Sequence, residues 1–400
     1  MRAEIISIGT EILLGHIIDT NSAYLSQKLA EIGIDVYHHV TVGDNPPRLT
    51  EVIKTALSRS DIVIMSGGLG PTIDDITVPV IKKFADKSPI RWIDNKIGTA
   101  PGLIITPSKH QTIIALPGPP RELAPMFEDA VIQYLLGKPH TAVWGISHAK
   151  TWRIPHTGVC GYTLKSRTVK IVGLPESVVN GKVKDLLSLK PPTTVGIYAK
   201  LGEVDLRIMA KAGSVKEANK AISKIDAKIT ARLKGYIFGR DDETLEEAVG
   251  KSLIKNKKTI AIAESCTGGL ISNRITNVSG SSQYFKMGVV TYSNESKINM
   301  LGVSGKTLRK YGAVSKETAV EMAKGVMRLA ASDIGIGVTG IAGPGGGTKS
   351  KPVGLVYAAL VKSVKGSKGQ RVKEYHLKGS REEIKFQVSQ VGLDLIRRNV

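Results

Sequence analysis

Ser265, Tyr292 and Lys297 supply the groups that serine-type acyl transfer needs: an alcohol, a phenol and an amine. Ser265 stands in Ala263-Glu264-Ser265-Cys266-Thr267-Gly268-Gly269, directly after the apolar run Ile260–Ala263. Leu270, Ile271, Ile275 and Val278 follow at offsets that suit one face of a helix. The serine therefore falls where a strand gives way to a helix, with two glycines allowing close backbone approach. Amide groups at a helix start favour negative charge, so this turn is a candidate oxyanion site as well as a nucleophile site. A second apolar run, 287–291, delivers Tyr292 and, five residues on, Lys297, a candidate base. Spacing alone leaves Ser265 equally readable as a helix N-cap, and Cys266 in the same turn as a rival nucleophile. Ser282, in the polar loop Val278-Ser279-Gly280-Ser281-Ser282, is a second candidate alcohol that also reads as a turn residue.

Two further segments carry glycine. Gly340-Ile341-Ala342-Gly343-Pro344-Gly345-Gly346-Gly347-Thr348 follows a strand pattern at 334–338. It offers backbone amides to a ligand, but no GK[ST] follows, which argues against a Walker loop and ATP hydrolysis. Near the other terminus, Gly67-Gly68-Leu69-Gly70-Pro71-Thr72-Ile73-Asp74-Asp75 follows the strand pattern 61–65. Its glycines let amides approach phosphates, and Asp74 and Asp75 are candidate ligands for a divalent metal such as Mg. The same two acids would also complement a helix dipole in a first turn. Asp19 reads equally well as a helix cap.

The elements that must position these residues fall into three groups. Residues 1–145 alternate strand and helix, as in an open α/β sheet whose ligands sit beyond the carboxyl ends of its strands. Residues 146–240 read strand, helix, two strands, helix, strand, a small α+β sandwich of ferredoxin-like type. Isolated Gly181 and Gly202 provide no GXXG loop of the kind KH modules use on RNA. Residues 241–400 return to an α/β pattern, with Ser315 capping one helix and Ser380-Arg381-Glu382-Glu383 opening the last as a capping box. Arg381 then lies in a first turn, where a cation opposes the helix dipole.

Taken together, AESCTGG, the VTYSN–K segment and GIAGPGGGT resemble the C-terminal domain of the CinA family, itself similar to PncC-type nicotinamide mononucleotide deamidases. The N-terminal GGLGPTIDDIT, with Glu11, the DTN at Asp19, NKIGTAPG and LPGPPRE, resembles the molybdopterin-binding (MoaB/MoeA-like) domain that begins CinA proteins. The resemblance spans essentially the whole chain. It implies hydrolysis of nicotinamide mononucleotide to nicotinic acid mononucleotide and ammonia, with no cofactor. Ser265 or Ser282 attacks, Lys297 moves the proton, and Tyr292 and Thr339 orient groups. Thr267, Gly268, Gly340, Gly343, Gly345 and Arg381 then contact the substrate. It further implies a metal-dependent ADP-ribose pyrophosphatase in the N-terminal domain. There Glu11, Asn21, Gly67, Gly68 and Gly70 would serve the nucleotide site, with Thr72, Thr77 and Gly118, and Asp74 and Asp75 would hold the metal. It describes the middle domain as KH-like. Two other classes stay open: a non-catalytic protein tied to DNA uptake or repair, and a molybdopterin-handling protein.

Composition bounds these readings. The chain has 400 residues, 42% of them apolar, and its apolar runs fall far short of the roughly 20 residues a bilayer span needs. It opens on a strand pattern with no signal-peptide core, so a cytoplasmic location is expected. Two cysteines cannot form a disulfide framework. The net charge of +21 is uneven: residues 1–150 carry 14 basic and 15 acidic side chains, and 151–240 carry 17 and 6. Residues 241–400 carry 25 and 14. Such a field attracts phosphate-bearing nucleotides. Nucleic-acid binding is not expected, because the lysines are scattered and only 5% of residues are aromatic. The expected partners are small nucleotides and a second copy of the chain. His148 and His156 read as surface residues.

Overall fold

A computed structural model describes residues 1–70, 75–85, 89–108, 110–137, 143–144, 163–364 and 367–400. Thr72, Asp74, His148, His156 and Cys160 lie outside them. The chain divides into two compact units, residues 1–165 with 210–221, and residues 166–209 with 222–400.

The first unit is built on a seven-stranded sheet of order β2-β1-β3-β6-β5-β4-β7. Its strands are β1 (Arg2–Ile8), β2 (Asp35–Val42), β3 (Ile62–Ser66), β4 (Arg91–Ile93), β5 (Gly102–Ser108), β6 (Gln111–Leu116) and β7 (Val143–Trp144). β2, β1, β3 and β6 run parallel, and β5, β4 and β7 continue antiparallel. The helices are α1 (Thr10–Leu13), α2 (Thr20–Glu31), α3 (Pro46–Arg59), α4 (Thr77–Ala85), α5 (Pro120–Met126) and α6 (Ile132–Leu135), a π-helical turn joining the last two. β3, IVIMS, is buried along its whole length, as a strand covered on both faces must be. Leu25, Leu29, Leu123 and Phe127 cover one face; Leu49, Ile53, Val80 and Ile81 cover the other. Asp19 is the cap of α2, accepting from the Ser22 amide at 3.0 Å. Burial works against its charge, but hydrogen bonds from Ser22 and Ser7 hold its pKa below the usual carboxylate value.

The middle sheet has order β11-β8-β10-β9, from β8 (Thr163–Val172), β9 (Thr193–Lys200), β10 (Glu203–Ala212) and β11 (Ile237–Arg240). With α7 (Glu176–Leu187) and α8 (Val215–Leu233), the chain order is the βαββαβ read from the sequence.

The last sheet has order β13-β12-β14-β15-β16. β12 (Ile260–Glu264), β13 (Phe285–Val290) and β14 (Ile334–Gly340) are parallel; β15 (Leu355–Val364) and β16 (Ser367–His376) are antiparallel additions. α9 (Leu245–Lys255), α10 (Leu270–Thr276) and α14 (Arg381–Arg397) cover one face through Val249, Ile271, Val388 and Leu393. α11 (Asn294–Leu301), α12 (Gly305–Tyr311) and α13 (Lys316–Leu329) cover the other through Leu301, Leu308 and Met322. Arg274 on α10 clamps this arrangement, bonding Glu246 on α9 at 2.7 Å and Ser389 on α14 at 2.8 Å.

The start of α10 differs from the sequence reading. Its amides do not await an anion, because Glu264, fully buried, already occupies them. Its carboxylate accepts from the amides of Gly269 (3.0 Å), Ile271 (3.1 Å) and Ser272 (2.8 Å), and from the Ser272 hydroxyl at 2.7 Å. Four donors compensate the lost hydration of one buried charge. Glu264→Ala would strand these amides, so it is expected to destabilise the C-terminal domain by about 3 kcal/mol. A lower denaturant midpoint, with faster amide exchange in α10, is the check.

Candidate active site

Ser265, Thr291 and Thr339 lie at the carboxyl ends of the three parallel strands β12, β13 and β14, where open α/β sheets hold ligands. The Ser265 amide donates to the Val338 carbonyl at 3.1 Å, which ties the serine turn to β14. Gly268 and Gly269 both take positive φ, +65° and +96°, so the chain can turn back into α10. Ser293 caps α11 by accepting from the Ser296 amide, and this aims the first turn of that helix, with Lys297, back at the serine.

Lys297 is 1% exposed. Its Nζ lies 3.2 Å from Ser265 Oγ, 2.7 Å from the Thr291 carbonyl and 3.1 Å from the Tyr292 carbonyl. A neutral amine has two N–H groups and one lone pair. The three oxygens satisfy either form: an ammonium donates to all of them, and a free amine donates to the two carbonyls and accepts from the serine hydroxyl. Burial disfavours the charged form and pulls the Lys297 pKa below the usual lysine value. Burial thus favours the free base, and the geometry sets it beside Ser265 Oγ.

Cys266 is not equivalent to its neighbour. Its side chain joins the hydrophobic core, and burial pushes its thiol up to about 12, far from thiolate formation at neutral pH. With Gly269, Ile271 and Ser272 engaged by Glu264, the amides that follow Ser265 directly in the chain are those of Cys266 and Thr267. Neither makes a backbone hydrogen bond among the described residues. Among the described residues the hydroxyls of Thr267 and Thr291 are buried without a hydrogen-bond partner. Such groups are costly in a finished core and accumulate at sites completed by a ligand.

Cations lie on the far side of the turn. Arg381 donates to the Gly343 carbonyl at 2.6 Å and to the exposed Tyr292 hydroxyl at 3.3 Å. It thus ties the start of α14 to the glycine-rich loop and to the end of β13. Lys385, one turn along α14, places its Nζ 3.8 Å from where a Cβ would stand on Gly268. Sequence reading missed Lys385; its position four residues after Arg381 was the available signal. Gly340 is packed against Val356 and Gly343 against Val353, while Gly345 faces open space.

Two expected site residues fall elsewhere. The Thr339 hydroxyl donates to the Ala313 carbonyl at 2.8 Å, so it braces the loop after α12. Ser282 lies exposed on a 3-10 turn (Ser281–Gln283) that precedes β13, at the amino end of the strand. β13 alone puts roughly 16 Å between that end and Thr291, beyond reach of Ser265 in the same chain.

In the first unit the loops after β1, β3 and β6 enclose a cavity of about 720 Å³. Glu11, Gly67, Gly68, Gly70, Asp75 and Gly118 line it, together with Glu122. Gly67 has φ +106°, and a Cβ there would run into the Ile8 carbonyl. Asn21 and Thr77 brace the loops from behind: Asn21 Nδ2 donates to Ser66 Oγ (2.8 Å) and the Gly118 carbonyl (2.7 Å), and Thr77 Oγ1 donates to the Gly67 carbonyl at 2.8 Å. Among the described residues no three His, Cys, Asp or Glu side chains converge as a metal centre requires. Asp74, the second expected ligand beside Asp75, lies outside the described residues, and no step is assigned to a metal here. Another cavity, about 480 Å³, lies near the far end of α14 and is lined by Lys200, Glu203, Gln390 and Arg398 among others, with no serine or cysteine.

Three family models match the chain: a probable molybdopterin binding domain over residues 4–137, a damage-inducible protein CinA KH domain over 166–239, and a CinA C-terminal domain over 242–400. A putative competence-damage inducible protein of Thermoanaerobacter pseudethanolicus is 44% identical, the match covering 100% of this chain and 98% of that one. A CinA-like protein of Dictyoglomus thermophilum is 43% identical over 100% of this chain and 99% of its own. Among solved structures, the competence/damage inducible protein CihA from Agrobacterium tumefaciens is 37% identical over 40% of this chain and 98% of that chain, with a TM-score of 0.37.

A fluorophosphonate probe reads the activation of Ser265 without any natural substrate. Its labelling rate is expected to rise with pH as Lys297 loses its proton and to level off below the usual lysine range. Lys297→Ala is expected to slow labelling about 100-fold or more. Mass spectrometry of the labelled peptide distinguishes Ser265 from Cys266.

Proposed function

Since this chain belongs to the CinA family, we propose that its C-terminal domain hydrolyses the carboxamide of nicotinamide mononucleotide to nicotinic acid mononucleotide and ammonia. The observation that carries the chemistry is the buried Lys297 amine held 3.2 Å from Ser265 Oγ by two backbone carbonyls. The family resemblance supplies the substrate. Arg381 beside the glycine-rich loop and Lys385 beside Gly268 agree with a ligand that bears a phosphate.

In this mechanism Ser265 Oγ attacks the carboxamide carbon while its proton passes to Lys297 Nζ. The new ammonium keeps its two carbonyl acceptors, and the amides of Cys266 and Thr267 receive the oxyanion. Collapse breaks the C–N bond as Lys297 returns the proton to the departing nitrogen, so ammonia leaves and an ester remains on Ser265. Water then attacks the ester, Lys297 takes its proton and restores it to Ser265 Oγ, and the acid departs. Every proton borrowed is returned, and the lysine acts as base and acid in turn.

For the N-terminal domain we propose binding of a nucleotide diphosphate such as ADP-ribose in the 720 Å³ cavity, on the glycine amides of Gly67–Gly70.

Ammonia release from nicotinamide mononucleotide by the full chain is the test. Ser265→Ala and Lys297→Ala are each expected to lose at least about 10³-fold in kcat. Arg381→Ala is expected to raise KM more than it lowers kcat. Release at the wild-type rate by Lys297→Ala would sink the mechanism. For the N-terminal domain, calorimetry with ADP-ribose is expected to show binding that Gly68→Val abolishes, because Gly68 (φ +66°) has Thr77 Oγ1 where a Cβ would go.

A further inference from the structure

The middle and C-terminal sheets belong to one compact unit, and the cavity of about 480 Å³ lies where they meet. Its walls come from the loop after β8, the β9–β10 hairpin, β16 and α14 from Gln387 onward. A space of this size holds a small organic ligand. Gln390, in its wall, stands nine residues along α14 from Arg381, so about 14 Å of helix separates it from the amidase candidate.

Glycine brings the middle domain onto this helix. A Cβ on Gly173 (φ +79°) would stand 3.0 Å from Arg398 Nη2, and one on Gly202 (φ +76°) would stand 3.0 Å from Gln390 Cγ. Arg398 is held in place, with Nε 2.6 Å from Asp394 and the guanidinium 4.6 Å over the Tyr236 ring. Gln390 is 3% exposed, yet its amide is half satisfied. Its Nε2 donates to Glu203 Oε2 at 3.3 Å, and this fixes the amide's orientation, since only the nitrogen can donate to a carboxylate. Oε1 is left buried with no hydrogen-bond partner among the described residues. An acceptor in that position costs stability unless something brings it a donor. The cavity also holds a spare cation. Lys200 is taken by Asp205 at 2.6 Å, whereas Lys373 is exposed and has no ion-pair partner among the described residues.

We propose that this cavity binds an adenine nucleotide, the base on the Gln390 amide and the phosphate on Lys373. Adenine donates from N6 and accepts at N7, the pattern that a glutamine amide pairs with in two hydrogen bonds. Oε1 thereby gains its missing donor, while Nε2 keeps one N–H for Glu203 and gives the other to N7. Guanine presents acceptors at both O6 and N7, which would set a second acceptor against Oε1. Tyr375 and the Tyr236–Arg398 stack line the same space and give a flat base aromatic and guanidinium surfaces.

This inference rests on neither proposed activity. Photolabelling of the full chain with 2-azido-AMP, whose azide lies away from the N6–N7 edge, followed by peptide mapping, tests it. Label is expected in peptides that carry Tyr236, Tyr375 or Gln390, separate from any in the Gly67–Gly70 loop. AMP is expected to protect those peptides about tenfold or more better than GMP, as one two-bond base contact implies. Gln390→Leu, with circular dichroism like that of the wild type, is expected to lose that preference. Lys373→Ala, a change at an exposed position, is expected to weaken protection by AMP several-fold and leave protection by adenosine unchanged. Label confined to the Gly67–Gly70 loop, or equal protection by AMP and GMP, overturns the assignment. So does an AMP preference that survives in Gln390→Leu, or an AMP affinity that Lys373→Ala does not move.

Discussion

An amine kept dry is the constraint around which the C-terminal domain is arranged. Removing Lys297 from water disfavours its charged form, and its Nζ finds a complete set of hydrogen-bond partners there. Those partners come from three segments: the end of β12 for Ser265, the end of β13 for the Thr291 and Tyr292 carbonyls, and the first turn of α11 for the lysine itself. Shifting any one of the three would leave either a buried charge or an idle serine. Glu264 fits the same logic. It lies one residue from Ser265, where a carboxylate facing Lys297 would favour the ammonium. Instead its oxygens are turned onto α10 and consumed by four donors.

Both end domains share one arrangement at the carboxyl edge of a parallel sheet. Parallel strands stop at one edge of the sheet, and the loops that leave them form the candidate site. The residues in those loops differ. After β1, β3 and β6 the chain offers mostly backbone, because glycine there admits a close approach that any side chain would block. After β12, β13 and β14 it offers a hydroxyl and an amine. The charge balance follows this division, near neutral over residues 1–150 and strongly positive beyond. A positive field over the last two domains favours anions in general, and Arg381 and Lys385 belong to it.

Much of this was legible before any coordinates. Strand runs such as 260–263 and the caps at Ser315 and Ser380 identified elements because apolar period and capping chemistry are local. The Ser265–Lys297 pair was legible through its motif, 32 residues apart in sequence and 3.2 Å apart in space. What escaped were facts about direction and partners. Glu264 read as part of a turn, because nothing local says that a strand-end carboxylate will fold back to cap the next helix. Cys266 rivalled Ser265 until the core claimed its side chain. Ser282 is adjacent to the site in sequence order and remote in the folded chain, since a parallel strand lies between them. Thr339 stood at a strand end beside the serine, yet its hydroxyl turned to Ala313. Each depends on which way a side chain leaves the backbone, which composition and spacing do not encode.

The charge state of Lys297 decides between a poised base and an ordinary ammonium. Side-chain NMR titration of the full chain, with the Lys297 resonance assigned by its loss in Lys297→Met, measures that state directly. A titration midpoint well below that of the exposed lysines is the result this account predicts. A midpoint at or above theirs would mean that the amine holds its proton at working pH, and Ser265 would have no base.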